Sequence, residues 1–175
     1  MHVEEAWPCD LEDVLAVERA AFGGCEEVEL VRALLEDATA RPVLSLLARQ
    51  NSRALGHILF TEATIDPAQD VRCAILAPLA VTPEAQGQGV GGKLIDEGVR
   101  RLTRAGVGLV FVLGHVDYYP RHGFVPAGEQ GLEPPYSVTP REAWMVRPIR
   151  PDLLGNVRGT VRCAKALDRP ELWRE

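Results

Sequence analysis

The sequence predicts an α/β fold in which a mixed, mostly antiparallel sheet carries a central βαβ crossover and flanking helices. Three observations support this. An apolar segment ending at Val81 runs through a proline-containing turn into four glycines within six residues, Gly87, Gly89, Gly91 and Gly92, which open an amphipathic helix. After that helix comes a continuous apolar run, Val107 to Leu113, as expected of a strand buried on both faces and paired in parallel after a helical crossover. Before it, two runs rich in strand formers flank Asn51-Ser52, which is hairpin chemistry.

Each element follows from its local pattern. Val3 to Trp7 forms a short first strand ended by Pro8. Asp10 is placed to cap a helix whose partly apolar face holds Leu11, Val14, Leu15, Glu18 and Phe22 and stops at Gly23-Gly24. A second helix, Glu27 to Asp37, puts Val28, Val31, Leu34 and Leu35 on one side. Val43 to Arg49 and Ala54 to Ile65 make the hairpin, and Asp66-Pro67 breaks it. Arg72 to Val81 is a third antiparallel strand. Pro78 cannot donate a ladder hydrogen bond, so a bulge or a splayed strand is expected there. The helix Gly89 to Arg104 buries Val90, Leu94, Ile95, Val99 and Leu102, with basic residues at its C-terminal end. From Phe124 to Pro140 the chain is rich in Pro and Gly and reads as loop, Ala143 to Ile149 closes the sheet, and Val157 to Ala164 is an edge strand. Residues 1–149 read as one domain, with 150–175 as an extension packed on it.

Composition removes several function classes. With 46% hydrophobic and 25% charged residues, the 175-residue chain has the balance of a globular domain with an ordinary core. A net charge of -6 and no local cluster of compensating bases argue against nucleic acid as a partner. The N-terminus MHVEEAWPCD carries acids where a secretion signal has bases, and the apolar runs are too short for a membrane span, so the expected compartment is the cytoplasm. Cys9, Cys25, Cys73 and Cys163 form no C-x-x-C pair, and neither a metal site nor a disulfide framework is expected.

The glycine loop is where chemistry is expected. Glycines let successive amides turn to one point, and the helix after them adds unpaired amides and a positive dipole end, which together make an anion site. Three phosphate-loop patterns compete. Gly87, Gly89 and Gly92 satisfy G-x-G-x-x-G, but five residues separate them from the strand, and the acid nearest the expected place, Asp117, lies 25 positions beyond Gly92. Gly87 to Lys93 nearly spells the nucleoside-triphosphate loop, with Leu94 where the magnesium-binding hydroxyl belongs; a nucleotide-binding protein is the alternative this leaves open. The third pattern, Gln86-Gly87-Gln88-Gly89-Val90-Gly91, resembles the Q/R-x-x-G-x-G/A loop of the GNAT acetyltransferase superfamily. Tyr119, Gly123 and Phe124 follow at the spacing of a second signature similar to that family's, Y-x-x-x-G-F.

The resemblance spans about Val3 to Ile149 and implies an N-acetyltransferase that moves an acetyl group from acetyl-CoA to a primary amine by direct attack in a ternary complex. It implies that Gln86, Gly87, Gln88, Gly89, Val90, Gly91, Gly92 and Lys93 surround the pyrophosphate of the co-substrate, without a metal. Backbone amides of Leu79, Ala80 and Val81 on a splayed strand would steady the oxyanion. Tyr119 would protonate the departing thiolate, a fair match since phenol and thiol pKa values are about 10 and 8.5. For the general base, Glu29, His57, Glu62, Glu84 and His115 are candidates; His115 follows the carboxyl end of a buried parallel strand, where ligands of α/β sheets collect, and is preferred. No motif supports a covalent cysteine intermediate. The acceptor is expected to be a small-molecule or peptide amine, a homodimer is left open, and a non-catalytic module that binds coenzyme A is a further alternative.

Overall fold

A computed structural model describes residues 1–174. In chain order the elements are β1 (His2–Glu5), α1 (Leu11–Phe22), α2 (Glu26–Glu36), β2 (Leu44–Gln50), β3 (Arg53–Asp66), β4 (Arg72–Val81), α3 (Val90–Arg104), β5 (Val107–Leu113), β6 (Val125–Pro126), β7 (Leu132–Glu133), β8 (Trp144–Pro148) and β9 (Gly159–Cys163). The strands form one sheet in the order β1-β2-β3-β4-β5-β8-β6, with β9 pairing the far half of β3 and β7 pairing β9. Besides β7 with β9, the parallel pair is β4 with β5, the two strands that α3 connects. The sheet is therefore mixed and mostly antiparallel, as the period-two runs and the single helical crossover require.

Alternation along the central strands decides which layer each side chain joins. Leu46, Ile58, Phe60, Val110 and Val112 face α3 and pack with Leu94, Ile95 and Phe124. Their neighbours Leu47, Leu59 and Phe111 face the other way and pack with Val14, Leu15, Val31 and Leu34 of α1 and α2. At the β2–β3 hairpin Asn51 and Ser52 both take positive φ, 52° and 68°, the backbone of a primed two-residue turn. Gly23, at φ 74°, ends α1 in the left-handed conformation.

One local expectation is corrected. Asp10 occupies the position before α1 but makes no side-chain cap to that helix: its carboxylate accepts from the Trp7 amide at 2.9 Å, capping the short turn Pro8–Asp10, and from Arg49 at 3.1 Å, so it ties the entry turn to β2. The 125–140 stretch, expected to be mostly loop, is so, with the two-residue strands β6 and β7 held in place by pairing with β8 and β9.

A buried polar chain joins the helical layer to the sheet. Glu18 of α1 lies 2.6 Å from His57 Nδ1 on β3, and His57 Nε2 lies 2.8 Å from Ser45 Oγ on β2. Glu18 and His57 are fully buried. The second carboxyl oxygen of Glu18, Oε2, has no partner among the described residues, and burial raises this carboxyl above its ordinary value against the pull of His57.

A carboxyl raised on folding stabilises most below its unfolded pKa of about 4 and loses that contribution as pH rises through the folded value. Glu18→Ala, which leaves His57 and Ser45 facing a hole, is expected to lower stability by about 3 kcal/mol in urea melts at pH 7. Glu18→Gln, which cannot ionise, should cost less, and wild type should lose ground to it between pH 4 and pH 7. A constant gap between the two across that range would contradict the direction of the shift.

Candidate functional site

The site is built where β4 hands over to α3. After β4 a turn at Pro83–Ala85 leads into the glycine loop. Gln86 Nε2 donates to the Val81 carbonyl at 3.1 Å and Gln88 Nε2 to the Glu84 carbonyl at 2.9 Å, so both glutamines latch the loop to the backbone behind it. Gly89 precedes α3 with φ 82°, and a Cβ there would meet nothing within 4 Å; left-handed backbone, not crowding, selects glycine, and its outer side is open. Helical bonding starts with the Lys93 amide donating to the Gly89 carbonyl at 3.1 Å. The amides of Val90, Gly91 and Gly92 before it have no carbonyl of the helix to reach, and they sit at the positive end of the α3 dipole.

These amides border a cavity of about 600 Å³ that Tyr118, Arg121 and His122 also line. The Tyr118 hydroxyl lies directly over Gly91, where a Cβ would come within 2.3 Å of it. Burial raises the Tyr118 phenol above its ordinary value, with Arg121 pulling the other way. The Arg121 guanidinium stands 6.0 Å from the Tyr118 ring centre. An anion in this cavity has amide hydrogens and the Arg121 guanidinium on its lining.

The second half of the site comes from the separation of β4 and β5. Their parallel pairing covers Arg72 to Ile75 of β4 and Val107 to Phe111 of β5 and then stops. Past that point β4 stays with β3, carrying a bulge at Ala77-Pro78 opposite Leu59, while Val112 and Leu113 of β5 pair with Met145 and Trp144 of β8. The free edge of β4 from Leu76 to Leu79 thus faces a gap. That gap is a second cavity of about 320 Å³, bounded by α1 and α2 at Phe22, Glu27 and Leu30 and by the C-terminal segment at Leu167, Leu172 and Trp173.

Three residues, Leu79, His115 and Tyr119, line both cavities and mark where they meet. The Tyr119 ring is held edge-on by Phe124 and Tyr118, at 5.5 and 5.1 Å between ring centres, and it passes so close to Gly114 that a Cβ there would fall 2.3 Å from it. The His115 carbonyl accepts from the amides of Tyr118 (3.1 Å) and Tyr119 (3.3 Å), a turn that fixes both side chains relative to the end of β5.

The sequence-predicted residues separate into two groups. Leu79, Val81, Gln86, Gly87, Gly89, Val90, Gly91, Gly92, His115 and Tyr119 all border the cavities. Ala80 is buried in the β3–β4 pairing opposite His57, and the Gln88 side chain turns back to the loop. The Lys93 side chain is exposed in a separate depression with His2, Asp96 and Arg100, away from the glycine cavity that a nucleoside-triphosphate loop would need it to reach. Of the other candidate bases, Glu29 is exposed on α2, Glu84 pairs with Arg53, Glu62 sits 3.8 Å from Arg72 at the far end of β4, and His57 is spent on Glu18 and Ser45. Missed in the sequence were Arg121 and His122, which lie inside the Y-x-x-x-G-F signature and could have been found there, and Glu27, Trp173 and Arg174, for which no local pattern gave a signal.

Comparison with known proteins agrees with this geometry. The model of the acetyltransferase (GNAT) family matches residues 11–124. The uncharacterized N-acetyltransferase YjhQ of Escherichia coli strain K12 is 50% identical over 160 residues, covering 89% of this chain and 87% of that protein. Among solved structures, the Escherichia coli GNAT family N-acetyltransferase YhbS in complex with CoA superposes with a TM-score of 0.86 at 28% identity, covering 96% of this chain and 92% of that one. A GNAT family acetyltransferase from Brucella melitensis in complex with acetyl-CoA superposes with a TM-score of 0.76 at 32% identity, covering 95% and 97%.

The loop geometry predicts how the two ends of the glycine stretch respond to mutation. Gly89→Glu, which forces a side chain into left-handed backbone and sets a carboxylate on the amide cluster, is expected to weaken CoA binding by about 100-fold in calorimetric titration. Lys93→Ala should change it by less than about threefold. A large loss with Lys93→Ala and little with Gly89→Glu would move the anion site off the amides.

Proposed function

This chain belongs to the GNAT family of acetyltransferases, and on that basis we propose that it transfers the acetyl group of acetyl-CoA to a primary amine by direct attack within a ternary complex. The observation that carries the reading is the meeting of the two cavities at Leu79, His115 and Tyr119. A donor with its diphosphate on the α3 amides and its thioester at that junction would face an acceptor entering from the other cavity.

The donor supplies an activated acyl carbon. The chain's own groups are assigned as follows. The amides of Val90, Gly91 and Gly92 hold the diphosphate, with Arg121 as a further cation on the cavity wall. The unpaired edge of β4 near Leu79 directs backbone amide hydrogens at the carbonyl oxygen as negative charge develops on it, the point at which such donors help most. His115 takes the proton that the amine nitrogen sheds on forming the new C–N bond. Tyr119 gives its phenolic proton to the thiolate as the C–S bond breaks, and free CoA leaves. Holding both reactants at the junction accounts for much of the rate, because it removes the entropy of bringing them together.

The YhbS and Brucella structures contain CoA and acetyl-CoA, which supports acetyl-CoA as the donor here. Reliance on that donor, and four cysteines free of disulfides, are the grounds for assigning the work to the cytoplasm.

Tyr119→Phe keeps the ring that Gly114 and Phe124 confine and removes only the proton. It is expected to lower kcat by about 100-fold or more, followed by thiol release, with the dissociation constant of acetyl-CoA nearly unchanged. Equal losses in kcat and donor affinity would make the side chain a packing element and pass the acid role elsewhere.

A further inference from the structure

The acceptor cavity contains few charges. Apart from His115 at the junction, the charged side chains on it among the described residues are Glu27 of α2 and Arg174 of the C-terminal segment; the rest of the described wall is apolar, chiefly Phe22, Leu30, Leu167, Leu172 and Trp173. Glu27 and Arg174 line this cavity, and neither takes part in an ion pair or side-chain hydrogen bond among the described residues. Among the described residues, one carboxylate and one guanidinium on an apolar lining are therefore available to a ligand.

The wall that carries Arg174 is built into the fold. β9 extends the far half of β3 from Ala63 to Asp66. Beyond it, the amides of Lys165 and Ala166 donate to Thr39 Oγ1 and Asp37 Oδ2, both at 2.9 Å, and these bonds together with the Thr39 side chain hold the Asp37 carboxyl below its usual range. Trp173 is 4% exposed, donates from Nε1 to the Leu167 carbonyl at 2.8 Å, and meets Trp144 edge-on at 5.4 Å. Trp144 in turn stacks on Phe111 of β5 at 5.2 Å. The C-terminal segment is thus anchored on the same strand whose departure from β4 opens the cavity.

Resting on the acetyltransferase reading above, we infer that the acceptor is an apolar α-amino acid: Glu27 receives its ammonium group, Arg174 its carboxylate, and the C-terminal wall its side chain. A polyamine or a polycationic sugar would bring several positive charges to a cavity with one carboxylate and would press one of them toward Arg174. A simple apolar amine would satisfy Glu27 but leave the guanidinium covered and unpaired, which costs binding. A molecule with both charges on an apolar body satisfies both groups and the lining. The ammonium group gives up one proton to solvent so that the neutral amine attacks, its second proton passes to His115 as the C–N bond forms, Tyr119 protonates the departing thiolate, and the products are the N-acetyl amino acid and free CoA.

The test is thiol release by the full chain with acetyl-CoA, using leucine, methionine and phenylalanine, the carboxylate-free analogue 3-methylbutylamine, and spermidine as acceptors. At least one of the amino acids is expected to show a kcat/KM about tenfold or more above that of 3-methylbutylamine and of spermidine. Arg174→Ala should close the gap between leucine and 3-methylbutylamine, and Glu27→Gln should raise KM for both far more than it lowers kcat. Preference for spermidine or 3-methylbutylamine, a gap that survives Arg174→Ala, or silence from all three amino acids while acetyl-CoA still raises the melting temperature would overturn the inference and leave the donor site standing. Failure of acetyl-CoA to stabilise the chain at all would instead remove the acetyltransferase reading on which the inference rests.

Discussion

The arrangement depends on two parallel strands that begin as neighbours and do not remain so. A parallel ladder broken in mid-sheet leaves backbone groups without partners, and the fold tolerates this because each strand has a second neighbour to hold it: β3 keeps β4 across a bulge at Ala77-Pro78, and β8 keeps β5 to its end at Leu113. A proline inside β4 removes one donor from the ladder at the point where separation begins. The gap this creates is lined by Tyr119, so that a single defect in pairing yields a largely apolar slot with a phenol on its wall.

The crossover that joins the same two strands supplies the other half of the site. Because α3 starts at the end of β4, its unpaired first-turn amides lie beside the gap, and the electrostatics of a helix terminus and the geometry of a split sheet are delivered together. The turn after β5 then packs Tyr118 and His122 against Gly91 and Gly92 of that terminus and adds Arg121 to the same cavity wall. The second cavity is lined by elements distant in sequence, α2 and the segment from Leu167 to Arg174, so the glycine cavity is built from two short stretches of chain and the second cavity by tertiary packing.

That difference explains what the sequence disclosed. The strands were legible because alternation is a local property: Leu46 and Leu47, or Phe111 and Val112, must face opposite layers whatever surrounds them. The glycine loop was legible because left-handed backbone at Gly89 has to be written as glycine. Glu18 was not, because a carboxylate on a helix face reads as solvated until His57 arrives from a strand 39 residues away to meet it. Glu29 was weighed and Glu27 was not, since two positions on a helix turn a side chain to nearly the opposite face and nothing local says which face overlooks the gap. The Lys93 side chain fails to reach the cavity for the same reason of helical phase. The C-terminal wall depends on Trp173 meeting Trp144, a contact without any periodic signal, and β6 and β7 exist only because β8 and β9 offer them an edge.

The central claim is that one split between β4 and β5, capped by the α3 amides, holds a diphosphate-linked thioester. A crystal structure of the chain with CoA tests it most directly. The account predicts the pyrophosphate on the amides of Val90, Gly91 and Gly92, the pantetheine arm along the free edge of β4 from Leu76 to Leu79, and the sulfur beside Tyr119. A ligand bound elsewhere, or β4 and β5 paired through to Val81 and Leu113 with the slot closed, would contradict it.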